Sequence, residues 1–320
     1  MTTETIAPSV LITEAEVHSV TRLSPAFVRV ELASAAFVDL GEDGYDTRFK
    51  VVLPGPTGAL PTIPPVPEEY YSALMAAGDV RSPMRTYTIR DVVRDGDDVR
   101  LVVDFVVHEE VGGHAPGPAC RWALAARRGD VIQVVAPHRR SSYGGTEFDP
   151  AGRTHLLLIG DETAVPALGR ILADVGPGHT GGVFVEVPTA ADILDLPAPE
   201  GFEMQWFPRN DAAYGRRIVQ QVRRHLGLPP ATDFEALPEL PSDLDIDVWE
   251  TPRYSAAGED LEEQLRARSV GHDLEDTYAW IAGESWMVKA LRRTLVTELG
   301  LDRAQVAFMG YWREGVPMKA

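Results

Sequence analysis

The sequence predicts two domains of different class: a β barrel over residues 1–150, then an α/β domain over residues 151–320. Three observations carry this. In the first part, apolar residues recur at every second position in short runs broken by Pro and Gly, the period of half-buried strands. From His155 onward, continuous apolar runs alternate with helical segments, as in a parallel sheet with crossovers. Finally, 320 residues with 44% hydrophobic content suffice for two cores.

The elements of the first domain follow in order. Val10 to Leu32 reads as its opening strands, carrying Val17, Val20, Val28, Val30 and Leu32 and interrupted at Ser24-Pro25. Phe49 to Pro54 is a further strand, with Lys50 among apolar neighbours. Gly55 to Pro67 is a Pro- and Gly-rich loop, and Glu68 to Ala77 a short helix. Arg85 to Arg90 and Val99 to His108 are strands joined by a hairpin at Arg94-Asp95-Gly96-Asp97. The loop from Gly112 to Pro118 leads into a helix from Ala119 to Arg128. Pro118 and Gly129 suit its two ends, and Arg127 and Arg128 suit the negative end of its dipole. Its other end offers free backbone N–H groups, an anion site. Val131 to Ala136 is the last barrel strand, followed by Pro137-His138-Arg139-Arg140-Ser141-Ser142.

In the second domain, strands are expected at His155–Gly160, Gly182–Val187, Phe202–Phe207, Thr277–Ala282 and Gln305–Gly310. Helices are expected at Ala164–Val175, Gly215–Leu226 and Ser285–Leu299. Residues 228–263 break the pattern with Pro229, Pro230, Pro238, Pro241 and many acids. Such composition reads as a solvated or partly disordered insertion, dispensable for chemistry.

Composition narrows the function. A formal charge of -18 disfavours nucleic acid and anionic membrane as partners. Cys120 is the one cysteine, so no intrachain disulfide forms. No signal segment opens the chain and no apolar run has the length of a membrane span, so a cytoplasmic monomer is expected. The eight histidines show no metal-ligand spacing, and no nucleophile elbow is present. Chemistry then falls to a cofactor that the protein positions.

The richest stretch is Arg85-Thr86-Tyr87-Thr88-Ile89-Arg90. Alternation puts Arg85, Tyr87 and Ile89 on one face and Thr86, Thr88 and Arg90 on the other. Arg85 can grip a phosphate as a planar fork, Tyr87 can stack on a ring, and Thr88 can hydrogen-bond a ring nitrogen. A two-residue turn at Asp95-Gly96 would set Tyr87 opposite Asp104 and Arg85 opposite Val106, lining Arg85, Tyr87, Asp104 and His108 on one surface. A bulge at Gly96 would slip that register.

Arg85-x-Tyr87-Thr88-x-Arg90, Asp104-Phe105-Val106-Val107-His108 and Gly117-Pro118-Ala119-Cys120-Arg121-Trp122-Ala123 together resemble the siderophore-interacting proteins. These are flavin-dependent ferric-siderophore reductases related to the ferredoxin-reductase fold. Gly160-Asp161-Glu162-Thr163, Trp280-Ile281-Ala282-Gly283-Glu284 and Gly310-Tyr311-Trp312-Arg313 extend the resemblance, which covers roughly residues 12–225 and 275–315. It implies a Greek-key FAD-binding barrel, then a Rossmann-like domain of the ferredoxin-NADP reductase type. It implies FAD at Arg85, Tyr87, Thr88, Asp104, Phe105, Val106, His108, Gly117, Pro118, Ala119 and Cys120, with Tyr87 and Thr88 as the catalytic contacts. Asp161, Glu162 and Thr163 would serve the cofactor from the second domain. Lys50, Arg139 or Arg140, and Arg313 would bind the ferric siderophore. The electron donor would be NAD(P)H or reduced ferredoxin, ferredoxin then being a protein partner.

The chain departs from the resembling family in two places. Cys120 stands where a small hydroxyl residue is usual, and Pro137 to Ser142 replaces a Gly-Pro-basic-Gly segment. The turn after Gly160 lacks the G-x-G-x-x-G of a tight dinucleotide clamp, and in this it is similar to the family, whose turn is equally poor in glycine. A flavin oxidoreductase with another acceptor, or a siderophore carrier without catalysis, are the alternative readings.

Overall fold

The computed structural model describes residues 10–41, 43–64, 69, 72, 82–108, 116–141, 145–231, 249–251, 254–255 and 274–316. The chain divides into two compact units, residues 1–146 and 147–319.

The first unit is built on an antiparallel sheet of seven strands. They are β1 (Val10–Ser24), β2 (Phe27–Ala33), β3 (Arg48–Val52), β4 (Met84–Thr88), β5 (Asp91–Asp95), β6 (Asp98–Val106) and β7 (Val131–Pro137). Their order across the sheet is β4-β3-β7-β1-β2-β6-β5, an antiparallel half-barrel. Alternate residues such as Val28, Val30, Leu32, Leu101, Val103 and Phe105 fill one core, as the period-two pattern requires. Pro25 ends β1, and the chain turns back so that Ser24 faces Phe27.

The motif strand and its neighbour do not form the hairpin read from the sequence. Arg94 pairs with Val99 and Asp95 with Asp98, so the turn is Gly96-Asp97, with Gly96 at φ 61°. The strand also breaks at Ile89-Arg90. β4 pairs with β3 at one edge of the sheet, while β5 lies at the other. Tyr87 therefore opposes Phe49, and Arg85 opposes Val51. Asp104 instead opposes Arg29 of β2. The break is held by Ile89 N–H donating to Thr47 C=O and Arg90 N–H donating to Val102 C=O.

Helix α1 (Pro118–Ala125) starts after Gly117 with Pro118 in its first turn. It ends at Ala126, so Arg127 and Arg128 lie beyond it; the Arg127 N–H donates to the Asp130 carboxylate.

The second unit holds β8 (His155–Gly160), β9 (Thr180–Val187), β10 (Phe202–Pro208), β11 (Trp249–Thr251), β12 (Tyr254–Ser255), β13 (Thr277–Glu284) and β14 (Val306–Trp312). The order is β10-β9-β8-β13-β14-β11-β12. The first five are mutually parallel, and β11 and β12 add antiparallel pairs. Helices α2 (Val165–Asp174), α3 (Arg216–His225) and α4 (Ser285–Arg292) connect them. The long helix expected to Leu299 stops being α-helical at Arg293 and continues as a π-helix to Glu298. There the Thr294 hydroxyl donates to Ala290 C=O, and Arg223 donates to both Thr294 and Glu298.

The insertion is not loop throughout, because Trp249 pairs with Met309 and Glu250 with Phe308. Most of residues 228–263, and most of the helix expected over Glu68 to Ala77, fall outside the described residues. Among the described residues, no helix is long and apolar enough to cross a membrane.

Candidate functional site

The first unit gathers a cation, an aromatic plate and a helix start. Alternation along β4 turns Arg85 and Tyr87 to the core side that Phe49 and Val51 define. The Tyr87 ring packs 4.5 Å from Phe105, and Phe105 lies 5.4 Å from Trp122 of α1. This row of rings ties β4, β6 and α1 together. Burial pushes the Tyr87 phenol up, against the opposing pull of the Arg85 cation. Tyr87 is thus a neutral aromatic surface.

Among the described residues, none caps the N-terminus of α1 with its side chain, and a side chain built on Gly117 would meet no atom within 4 Å. Pro118 stands in this first turn where its own N–H would be unpaired in any case. The helix is fixed to β6 through sulfur. His108 N–H donates to Cys120 Sγ and Cys120 Sγ–H donates to His108 C=O, each across 3.2 Å. Burial raises the Cys120 pKa, so it remains a thiol able to donate.

Other expected contacts lie elsewhere. Asp104 is 3% exposed and grips Arg29 through two bonds of 2.7 and 2.8 Å, with Arg90 at 3.6 Å. It sits on the opposite face of β6 from Phe105, so the surface expected to combine Tyr87 and Asp104 does not form. Phe105 is fully buried and supports Tyr87 from behind. Val106 is half-buried at the end of β6, opposite Phe27. Thr88 is buried and pairs with Arg48, on the face that carries Lys50. Lys50 donates to the Thr86 hydroxyl at 2.5 Å, and burial, then Arg48, lowers its pKa. Arg139 and Arg140 are both exposed, but Arg139 pairs with Asp39 at 2.8 Å.

In the second unit, Asp161, Glu162 and Thr163 stand at the carboxyl end of β8, where open α/β sheets bind ligands. Their acidic groups turn inward. Asp161 accepts from Thr163 N–H (2.8 Å), the Thr163 hydroxyl (2.5 Å), Glu284 N–H (2.6 Å) and Trp312 Nε1–H (2.8 Å). Burial and then Glu162 push its pKa up to about 7. The close approach of Glu284 requires Gly283, whose φ is +141° and whose absent Cβ would lie 2.6 Å from the Asp161 carboxylate.

Glu162 makes a two-bond pair with Arg209 at 2.9 and 3.0 Å, and Glu186 approaches the same guanidinium at 3.4 Å. Sequence reasoning missed Glu186, Arg209 and Tyr214. The signal was an acid near the end of the second parallel strand and a base just after the third, charges that burial forces to pair. Arg313 follows β14 and is exposed. Among the described residues, no group of His, Cys, Asp or Glu is placed to hold a metal ion.

An antiparallel half-barrel followed by a parallel α/β sheet is the architecture of the ferredoxin-reductase fold. A ferredoxin-NADP+ reductase from Plasmodium falciparum, 11% identical, shares the fold with a TM-score of 0.54 over 92% of this chain and 94% of that one. The model described as siderophore-interacting FAD-binding domain matches residues 16–141, and that described as siderophore-interacting protein matches residues 153–315. The chain belongs to the siderophore-interacting protein family.

Among its relatives, an uncharacterized protein of Mycobacterium tuberculosis is 34% identical over 202 residues, 62% of this chain and 65% of that relative's length. The NADPH-dependent ferric-chelate reductase of Escherichia coli is 25% identical over 305 residues, 93% of this chain and 92% of its own. A siderophore utilization protein from T. fusca is 28% identical, with a TM-score of 0.66 over 97% of this chain and 95% of that one.

Proposed function

We propose that the protein reduces ferric siderophores with FAD, releasing Fe(II) in the cytoplasm for iron acquisition. One observation supports this: Arg85 and Tyr87 share a face of β4, and Tyr87 packs through Phe105 toward Trp122 of α1, in a stretch that matches the siderophore-interacting FAD-binding domain. Bound FAD supplies hydride acceptance and one-electron transfer.

The chain's own residues hold and orient it. Arg85 would hold a phosphate, the α1 N–H groups would hold the pyrophosphate, and Tyr87 would stack on the ring. Thr88 follows Tyr87 in β4 but on the opposite face, so its hydroxyl would meet the ring only at an edge. Cys120 and His108 act one step back, by fixing α1 to β6. Asp104 acts through Arg29 and Arg90. Asp161 and Glu162 shape the end of β8 from within, leaving Thr163 and the backbone to face the donor.

Iron arrives already chelated, so the protein needs charge for the chelate and no ligands for the metal. Reduction to Fe(II) weakens a hard-oxygen chelate and lets the iron leave. In a chain of net charge -18, Lys50, Arg140 and Arg313 supply local positive charge for an anionic siderophore. Arg140 is preferred over Arg139, which Asp39 already neutralises. NADPH is proposed as donor ahead of reduced ferredoxin, because the Escherichia coli relative is named for it.

The test is direct. Purified protein should carry extractable FAD and, given NADPH and a ferric siderophore without oxygen, should form a coloured complex with a ferrous chelator. Flavin reduction without ferrous iron would point to another acceptor. Siderophore binding without flavin would point to a carrier.

A further inference from the structure

The carboxyl edge of the second sheet contains a closed ring of side chains that the flavin and siderophore contacts do not account for. Arg209, 7% exposed, follows β10. Its guanidinium edge meets Glu162 at 2.9 and 3.0 Å and Glu186 at 3.4 Å. Its face lies 4.0 Å from the centre of the Tyr214 ring. Tyr214 in turn meets Trp312 edge-on at 4.7 Å. Trp312 donates its indole N–H to Asp161, the residue before Glu162.

We propose that Arg209 is a positioning residue: clamped by Glu162 and Glu186, it holds Tyr214 against Trp312 and so fixes the strand end that carries Arg313. This rests on the reading that Arg313 meets the anionic siderophore. Arginine suits the task because its planar group offers carboxylates an edge and an aromatic ring a face at once, which lysine cannot do. Trp312 is held at three points: the indole N–H by Asp161, the ring by Tyr214, and the C=O by the Ser285 hydroxyl at 2.8 Å. Arg313 is the next residue. Tilting the Trp312 ring therefore moves the backbone from which Arg313 reaches out.

Removing Arg209 would strand two buried carboxylates and endanger the fold. Tyr214→Leu is the sharper variant, since it leaves the ion pairs of Arg209 in place and removes only the ring that joins Arg209 to Trp312. In the full-length flavin-loaded protein, Tyr214→Leu should raise the KM for an anionic ferric siderophore about fivefold, equivalent to a coupling of about 1 kcal/mol. It should leave kcat and the KM for NADPH unchanged and alter the near-UV circular dichroism of tryptophan. Tyr214→Phe, which keeps the ring, should behave as the native protein. The double variant Tyr214→Leu, Arg313→Ala should be no worse than Arg313→Ala alone. Additive losses would overturn the proposal, as would an unchanged tryptophan signal in Tyr214→Leu. If Arg313→Ala alone leaves the siderophore KM untouched, the siderophore role of Arg313 fails. The positioning of Trp312 is then decided by the dichroism alone.

Discussion

Trp312 donates its indole N–H to the Asp161 carboxylate across 2.8 Å. The same carboxylate accepts three further bonds, two from Thr163 and one from the Glu284 backbone. An acid that would repel phosphate at the mouth of the sheet is thereby turned into an internal brace between β8, β13 and β14.

The brace should make stability depend on pH. Burial and Glu162 push Asp161 up to about 7, and burial raises Glu186, whose Oε2 has no hydrogen-bond partner among the described residues. A carboxyl whose pKa is higher folded than unfolded stabilises the fold fully below its ordinary value of about 4. That contribution is lost as pH rises through the folded value. The Tm should therefore fall between about pH 4 and about pH 7, and Glu186→Gln should flatten the fall. A native Tm that rises over this window would contradict the assignment.

Arg85 and Arg90 sit five residues apart in sequence yet should fail differently. Arg85→Ala should lower FAD occupancy with little change in the Tm of the flavin-free protein. Arg90→Ala removes a guanidinium beside buried Asp104 and should cost about 1–3 kcal/mol of stability while occupancy, measured on folded protein, holds. Equal losses of flavin from the two would show that Arg85 does not face it.

Charge at the substrate end should appear in salt dependence. Screening acts over about 8 Å at physiological ionic strength. Lys50→Ala, Arg140→Ala and Arg313→Ala should each raise the KM for an anionic ferric siderophore and flatten its dependence on salt. A neutral ferric chelate should respond less. Unaltered siderophore kinetics in all three, with flavin content full, would remove these residues from the site.

Cys120 should tolerate serine better than alanine. Serine can both accept from His108 N–H and donate to its C=O, as the thiol does. Alanine loses both bonds and should cost about 1–2 kcal/mol, with weaker FAD retention. In the native protein, buried Cys120 should react slowly with thiol reagents, its pKa being raised by burial. Rapid modification of the folded protein would show that α1 is not held as described.

The period change from strands to alternating strands and helices was legible in the sequence, because apolar spacing is a local property. So were the cation and ring of Arg85 and Tyr87, which two-residue alternation puts on one face. The partner of Tyr87 was not legible. A turn shifted by one residue, and a break at Ile89-Arg90, sent Asp104 to Arg29 and gave Tyr87 the neighbour Phe105. The inward turn of Asp161 and Glu162 was equally hidden, since it depends on Arg209 and Trp312, far away in the chain. Hydroxyl or cation spacing cannot report a pairing that only the crossover order of a parallel sheet creates.

Trp249–Thr251, the short β11, runs antiparallel along β14. Without it, Phe308 and Met309, both fully buried, would belong to an outermost strand with a row of unsatisfied backbone donors and acceptors. Such an edge is a template for pairing with other chains. Among the described residues, β11 thus covers the β14 edge of the sheet. Shortening the acidic insertion to a flexible linker that omits β11 should leave a flavoprotein that aggregates on concentration, well before it loses its chemistry.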